Sequence, residues 1–252
     1  MTLAGDMARE LRHGLDPAAW AREALGFQPD PWQEKFLQST TRQVILCCSR
    51  QSGKSTCSAL LAAHTAIFRP GSLVLLISKA QRQSIELLGK ATGFLRQVPA
   101  AKLVSDNAMS VELEGGSRII SLPGDASTIR GFSAPALVIE DEAGWVEDAL
   151  YLSIRPMLAV SGGRLMLLST PNGRRGHFFE VWHAPAGWQR FTIQASDVPR
   201  ISPEFLESER VSLGTWWFRQ EYECAFLDQD DQLFSTEAIE AAIAPDLEPL
   251  CL

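Results

Sequence analysis

The chain has 252 residues, 46% of them hydrophobic, enough for one large core or a core with a small appendage, and it reads as a single domain over residues 1–252. A formal charge of −7 at pH 7 excludes a protein that coats DNA by bulk electrostatics, so any nucleic-acid contact must be local. No run approaches the roughly 18–20 uninterrupted apolar residues of a membrane helix, and an N-terminus with Asp6, Arg9 and Glu10 is no signal peptide, so a soluble, intracellular chain with no membrane partner is expected.

In chain order, helices are predicted over about 15–25 and 31–39, a strand over 44–48, a helix from Ser55 to Phe68, a strand over 73–78 and a helix over 80–98. Val111 to Leu122 forms two alternating segments around Gly115-Gly116, a hairpin signal that extends the sheet antiparallel. Strands follow over 136–141, 164–169 and 190–195. A last helix over 203–225 carries Trp216, Trp217, Phe218, Tyr222 and, at its end, Phe226, aromatics expected to pack in the core rather than to stack on bases. This alternation argues for an α/β domain around a mainly parallel sheet. Cys47, Cys48, Cys57, Cys224 and Cys251 form no C-x-x-C pair and no Cys/His cluster, so reduced thiols are expected, Cys47 and Cys48 as small core residues.

The most informative segment is Cys48-Ser49-Arg50-Gln51-Ser52-Gly53-Lys54-Ser55, which follows the apolar run Val44 to Cys47. A strand running into such a loop and then a helix has the layout of a phosphate-binding P-loop. Backbone N–H groups and the positive helix end wrap the phosphates, a Lys reaches the β and γ oxygens, and a Ser or Thr hydroxyl holds Mg²⁺. Gly53, Lys54 and Ser55 take those roles, and Ser49, Arg50, Gln51, Ser52 and Thr56 complete the nucleotide-binding set. The motif G-x-x-x-x-G-K-[ST] is incomplete, because Cys48 stands at its first Gly. The flanking strand and helix favour nucleotide binding over a plain helix start capped by Ser52.

Downstream, the apolar run Ala136 to Ile139 ends in Glu140-Asp141-Glu142. A Mg-dependent NTPase needs one carboxylate for the metal and a neighbour that orients and deprotonates the attacking water, both leaving a strand end beside the γ-phosphate. Asp141, with Ser55, is assigned to the metal and Glu142 to the water. A Glu140/Asp141 pairing stays open, since Glu140 sits where such motifs usually carry an apolar residue. A third strand ends in Ser169-Thr170-Pro171-Asn172-Gly173, whose hydroxyls could sense the γ-phosphate, although this run also suits a plain turn. Arg174-Arg175 just beyond is the best local candidate for a DNA contact, against a reading as two solvated arginines.

With these pieces in order, the chain resembles the ATPase domain of the large terminase subunit, the DNA-packaging motor of tailed bacteriophages. Ser49-Arg50-Gln51-Ser52-Gly53-Lys54-Ser55 looks like the deviant terminase P-loop, in which an Arg-Gln pair is common and the first Gly is often missing. Thr128-Ile129-Arg130-Gly131 before the acidic strand is similar to the family's Arg-Gly segment, and Ser169-Thr170-Pro171 to its coupling motif. Pro29-Asp30-Pro31-Trp32-Gln33 matches the adenine-reading segment, and Phe218-Arg219-Gln220-Glu221-Tyr222 the stretch that closes the ATPase domain.

The resemblance implies a RecA-like P-loop fold of the additional-strand, catalytic-Glu class, with the coupling strand between the P-loop strand and the acidic strand. It divides the chain into a helical lead-in at 1–25, a core at 26–235 and, at 236–252, the start of a linker towards a nuclease domain that is absent, so no nuclease activity is expected. Either an excised domain or a short gene would end this way. By the same resemblance, Gln33 reads the adenine edge, Arg50 touches the γ-phosphate within its own subunit, and Arg130 is an arginine finger on a neighbour's ATP. ATP and Mg²⁺ are the implied cofactors. The implied partners are double-stranded DNA, the portal protein, the small terminase subunit and further copies in a ring on the procapsid, in the host cytoplasm, with the isolated chain a monomer. Two alternatives stand beside this: an assembly module that binds nucleotide with negligible turnover, and a helicase-like ATPase, since Asp141-Glu142-Ala143 before Gly144 also resembles DEAD-box helicases.

Overall fold

The computed structural model describes residues 3–228 and residue 242. The end of the expected core at 229–235, the expected linker at 236–252 (residue 242 apart) and Cys251 lie outside the described residues. Eight strands form one sheet in the order β3-β4-β5-β2-β6-β7-β1-β8. They are β1 (Gln43–Cys48), β2 (Leu73–Ser78), β3 (Leu103–Asp106), β4 (Ser110–Leu113), β5 (Arg118–Pro123), β6 (Leu137–Asp141), β7 (Arg164–Ser169) and β8 (Gln189–Ile193). From β5 to β8 every neighbouring pair is parallel, while β3 and β4 form an antiparallel extension. The Gly115-Gly116 hairpin is present, and β7 lies between β1 and β6, the order that the resemblance implies.

Sheets of this kind need helices on both faces. The nine helices among the described residues are α1 (Leu3–Leu15), α2 (Pro17–Leu25), α3 (Pro31–Leu37), α4 (Lys54–Phe68), α5 (Gln81–Leu95), the short α6 (Ala126–Ile129), α7 (Asp148–Ser161), α8 (Gly176–His183) and α9 (Pro203–Tyr222). Strand side chains alternate between two cores. Leu46, Leu76, Leu137, Ile139 and Leu168 join residues of α2 to α5, whereas Ile45, Ile77, Val138 and Leu167 join residues of α7 and α8.

The structure adds elements to those expected and corrects one. The helix expected over about 15–25 is α2, and α1 before it is new; Asp16 ends the α1 segment and caps α2 by accepting from the N–H groups of Ala18 and Ala19. The edge strand β3 is new, as are α7 and α8. The last helix is broken at Gly214, whose backbone lies at φ 75° and ψ 163°, and its aromatics do not share one core. Phe218 and Tyr222 are buried and stacked, Trp217 is 46% exposed, and Phe226 packs against Phe178, Phe179 and Trp182 on α8.

The parallel frame leaves little room where the chain enters β7. A Cβ on Gly163 would overlap the carbonyl oxygen of Pro135, which belongs to the lead into β6. Gly163→Ala should therefore cost about 1–3 kcal/mol, in the range of overpacked sites, and should lower the urea midpoint at unchanged slope.

Candidate active site

At Cys48 the chain is still in β1, and the thiol is buried near the carbonyl oxygens of Leu46 and Ser169. Burial pushes this thiol up to about 12. A side chain pointing into the core explains how Cys48 can stand where the usual motif has its first Gly. The loop turns only afterwards, with Gln51 at φ 60° and Gly53 at φ 95°. Its backbone is anchored from two sides: the Ser49 N–H donates to Ile193 O at 2.8 Å and the Arg50 N–H to Glu221 O at 3.1 Å. The positive φ favours glycine at 53, and a Cβ there would also meet Gln33 Nε2 at 2.8 Å, so that side chain would have to shift. Gln33 itself is buried and accepts from the Asp30 N–H at 2.8 Å. The hydroxyls of Ser49 and Ser52 are buried with no hydrogen-bond partner among the described residues.

The acidic strand end meets this loop. Asp141 continues the face of Leu137 and Ile139, towards α4, and its Oδ2 accepts from Ser55 Oγ at 3.3 Å. Glu142 adopts a left-handed backbone, φ 59° and ψ 38°, and its Oε1 lies 2.7 Å from Lys54 Nζ. Burial alone would push the Lys54 ammonium down, but the Glu142 and Asp141 carboxylates reverse this and hold it above the usual lysine range. Burial pushes the Asp141 carboxyl up, against the pull of Lys54. Glu140 continues the face of Val138 and is buried on the opposite side, where its Oε1 lies 2.9 Å from His177 Nε2. The strand period thus separates Glu140 from the loop and brings Asp141 to it, and the left-handed backbone of Glu142 turns its carboxylate to the same side.

A cavity of about 920 Å³ opens over the loop, lined among others by Gln33, Arg50, Lys54, Ser55, Thr56, Glu142 and Thr170. Arg50 reaches across its rim to Glu221, Nε to Oε2 at 2.6 Å. Arg130 is exposed at the end of α6 and is not among the lining residues. Ser169, Thr170 and Pro171 are buried at the end of β7, and Asn172 Nδ2 donates to Gly144 O at 2.9 Å, joining that segment to the turn after Glu142. Arg174 contacts the Phe226 carbonyl and Asp228, and Arg175 contacts Asn172.

Arg200, Lys79 and Trp145 are among the lining residues that escape sequence reasoning. Arg200, from the loop before α9, bridges Asp30 Oδ2 at 2.6 Å and Ser52 O at 3.1 Å, so it ties α3 to the P-loop. Lys79 at the end of β2 lies over the Trp145 ring, 5.6 Å from its centroid. Neither arginine, lysine nor tryptophan sits in a local motif that would single it out. A buried lysine and a serine hydroxyl at the N-terminus of α4, with two carboxylates beside them, can together hold a polyphosphate and a divalent cation. Among the described residues, no group of three or more His, Cys, Asp or Glu is placed to hold a metal ion by itself.

Over residues 45–241 the sequence matches the family described as terminase large subunit, T4likevirus-type, N-terminal. The terminase large subunits of Thermus virus P23-45 and Thermus phage G20c are 26% and 25% identical over 261 residues, covering 88% of this chain and 53% of each relative. The chain therefore spans about half the length of these curated relatives. Among solved structures, a mutant ATPase domain of the Thermus phage P74-26 large terminase superposes with a TM-score of 0.76 at 23% identity, covering 84% of this chain and 100% of that one. The HK97 bacteriophage large terminase gives 0.70 at 16%, with 84% and 55% covered. The large terminase of thermophilic bacteriophage D6E, solved in complex with ADP, gives 0.60 at 11%, with 84% and 52% covered. These superpositions establish a fold shared with terminase ATPase domains, RecA-like and built on a mainly parallel sheet. Given the family match over most of its length and the P-loop geometry that goes with it, the chain belongs to the terminase large subunit family.

Proposed function

We propose that this chain is an ATP-hydrolysing motor domain that couples Mg-ATP hydrolysis to translocation of double-stranded DNA into a procapsid. The observation that carries the reading is the convergence of Lys54, Ser55, Asp141 and Glu142 on one P-loop. Lys54 binds the β and γ oxygens, and Glu142 orients and deprotonates the attacking water. Ser55 and Asp141 would hold Mg²⁺, which when bound neutralises charge on the phosphates. The Lys54–Glu142 ion pair keeps the base occupied; phosphate oxygens compete for Lys54 and so free Glu142 for water. Gln33 reads the adenine edge, with Arg200 holding its segment against the loop. Ser169, Thr170 and Pro171 pass the state of the γ-phosphate onward through Asn172 and Gly144.

Arg130, exposed on its own subunit, is the finger for a neighbour's ATP, and Arg50, on the cavity rim, serves in cis. The partners that follow are other copies in a ring, the portal protein, the small terminase subunit and DNA, in the host cytoplasm, with the isolated chain monomeric. Residues 1–252 are read as one ATPase domain, and no DNA cleavage is assigned to it, because Asp141 and Glu142 serve ATP.

Lys54→Ala should weaken both binding and turnover, whereas Glu142→Gln should keep ATP bound while turnover falls by about 10²-fold or more, as loss of a general base does. Normal turnover in Glu142→Gln, with Asp141→Asn binding but inactive, would move the base to Asp141. Arg200→Ala should raise the KM for ATP about tenfold with little change in kcat, the pattern of lost uniform binding, measured by steady-state phosphate release. An arginine finger is worth about 10³–10⁵ in rate, so specific activity should rise with assembly and Arg130→Ala should abolish the rise. Inactive Arg130→Ala and Lys54→Ala chains should partly restore each other when mixed, because each supplies what the other lacks. A mixture that stays inactive where wild-type subunits assemble and hydrolyse would move the finger role to Arg50.

A further inference from the structure

Glu140 is the one acid of the Glu140-Asp141-Glu142 run that the proposed ATP chemistry does not use, and it is fully buried. Its Oε1 lies 2.9 Å from His177 Nε2, and the other ring nitrogen, Nδ1, lies 3.0 Å from Asp148 Oδ1. The same Asp148 oxygen accepts the His177 backbone N–H at 2.6 Å. Tyr151 stacks on the imidazole, with centroids 4.9 Å apart and planes within 10°, and Arg155 Nη1 donates to the Tyr151 hydroxyl at 3.3 Å. With a carboxylate at each ring nitrogen, the doubly protonated ring satisfies both. A buried ion pair of this kind contributes little net stability, yet removing one partner leaves a charge uncompensated. What it does supply here is connection. Glu140 belongs to the end of β6, Asp148 and Tyr151 to the first turn of α7, and His177 to the first turn of α8, directly after the segment 169–173.

We propose that Glu140, His177 and Asp148 form a tie that holds the end of β6, and with it Asp141 and Glu142, in register with the helix that follows the β7 segment. Glu140 and His177 are then positioning residues for hydrolysis. This rests on the ATPase reading above for its effect on rate, but not for the tie itself. The segment after β7 is clasped to the acidic turn twice, once on the loop side by Asn172 and Gly144 and once beneath the sheet by His177 and Glu140. A shift of either partner is transmitted to the other through both.

The test uses the 252-residue chain in four variants. Glu140→Gln keeps an acceptor for the imidazole; Glu140→Leu removes it; His177→Phe keeps a ring on Tyr151 without donors. The double variant Glu140→Leu/His177→Phe leaves neither member of the buried pair charged, so it remains available if a single variant fails to fold. Turnover, affinity for a fluorescent ATP analogue, and amide exchange over residues 137–146 and 170–178 are measured on each. Glu140→Gln should stay within about threefold of wild-type kcat, while the other three should lose about tenfold or more with analogue affinity within about threefold. The double variant should be no worse than the poorer single, because both break one tie. Exchange should quicken in those two segments and not in β2. A folded double variant with wild-type kcat and wild-type exchange would overturn the tie, as would a loss of affinity as large as the loss of rate. If the wild type does not hydrolyse ATP under any assembly condition, or Glu142→Gln matches it, the ATPase reading falls instead, and amide exchange still decides the tie.

Discussion

Successive side chains of a strand point to opposite faces, and at the end of β6 this alternation determines which carboxylate meets the P-loop. Leu137, Ile139 and Asp141 form one series and Val138 and Glu140 the other. By strand geometry alone, Glu142 would follow Glu140 to the far side. Its left-handed backbone, φ 59°, breaks the series and returns its carboxylate to Lys54. A non-glycine residue held there costs about 1–3 kcal/mol and persists only where its surroundings over-determine it. Those surroundings are visible: the 2.7 Å ion pair to Lys54, and the Asn172 hydrogen bond to Gly144 two residues on.

The electrostatics of the cavity run against those of the whole chain. The chain carries a formal charge of −7, yet its cleft is lined by Arg50, Lys54, Lys79, Lys90 and Arg200, with Glu142 the one acid among the described lining residues. Low-dielectric walls of one sign focus the field, so a polyanion is drawn to this opening and not to the surface at large. Arg50 and Arg200 are themselves fixed by carboxylates outside the cleft, Glu221 and Asp30. Their positions are therefore set before any anion arrives, which lowers the ordering cost of binding.

The parallel core was legible because its strands are short apolar runs closed by turn residues, and the P-loop because its chemistry is compressed into eight consecutive positions. The acidic run was legible as a run, but its register was not, since adjacent residues differ only in the face that the strand gives them. Arg200 and His177 could not be found in the same way: each meets its partners across gaps of 29 residues or more, Asp148 and Glu140 for His177 and Asp30 and Ser52 for Arg200. No local pattern encodes such pairings. β3 is short and mostly exposed, so it lacks the apolar alternation that marks a strand. The aromatic helix was misjudged for a related reason. The helix ends at Tyr222 and Cys224 lies at φ 58°, so Phe226 leaves the helical phase, and spacing counted past that end no longer predicts a common face.

The thiols carry a practical consequence. Cys47, Cys48, Cys57 and Cys224 are all buried, and burial raises Cys48 to about 12 and raises Cys57 as well. Thiolate is the reactive form, and a buried, protonated sulfur offers neither nucleophile nor access. Alkylating reagents and maleimide dyes should therefore pass over these four positions while the sheet is intact. Once Cys251, outside the described residues, is replaced, a reporter cysteine on an exposed site such as Val160 or Leu152 of α7 would be read against these four silent thiols, with no need to strip natural sulfur from beneath the phosphate loop.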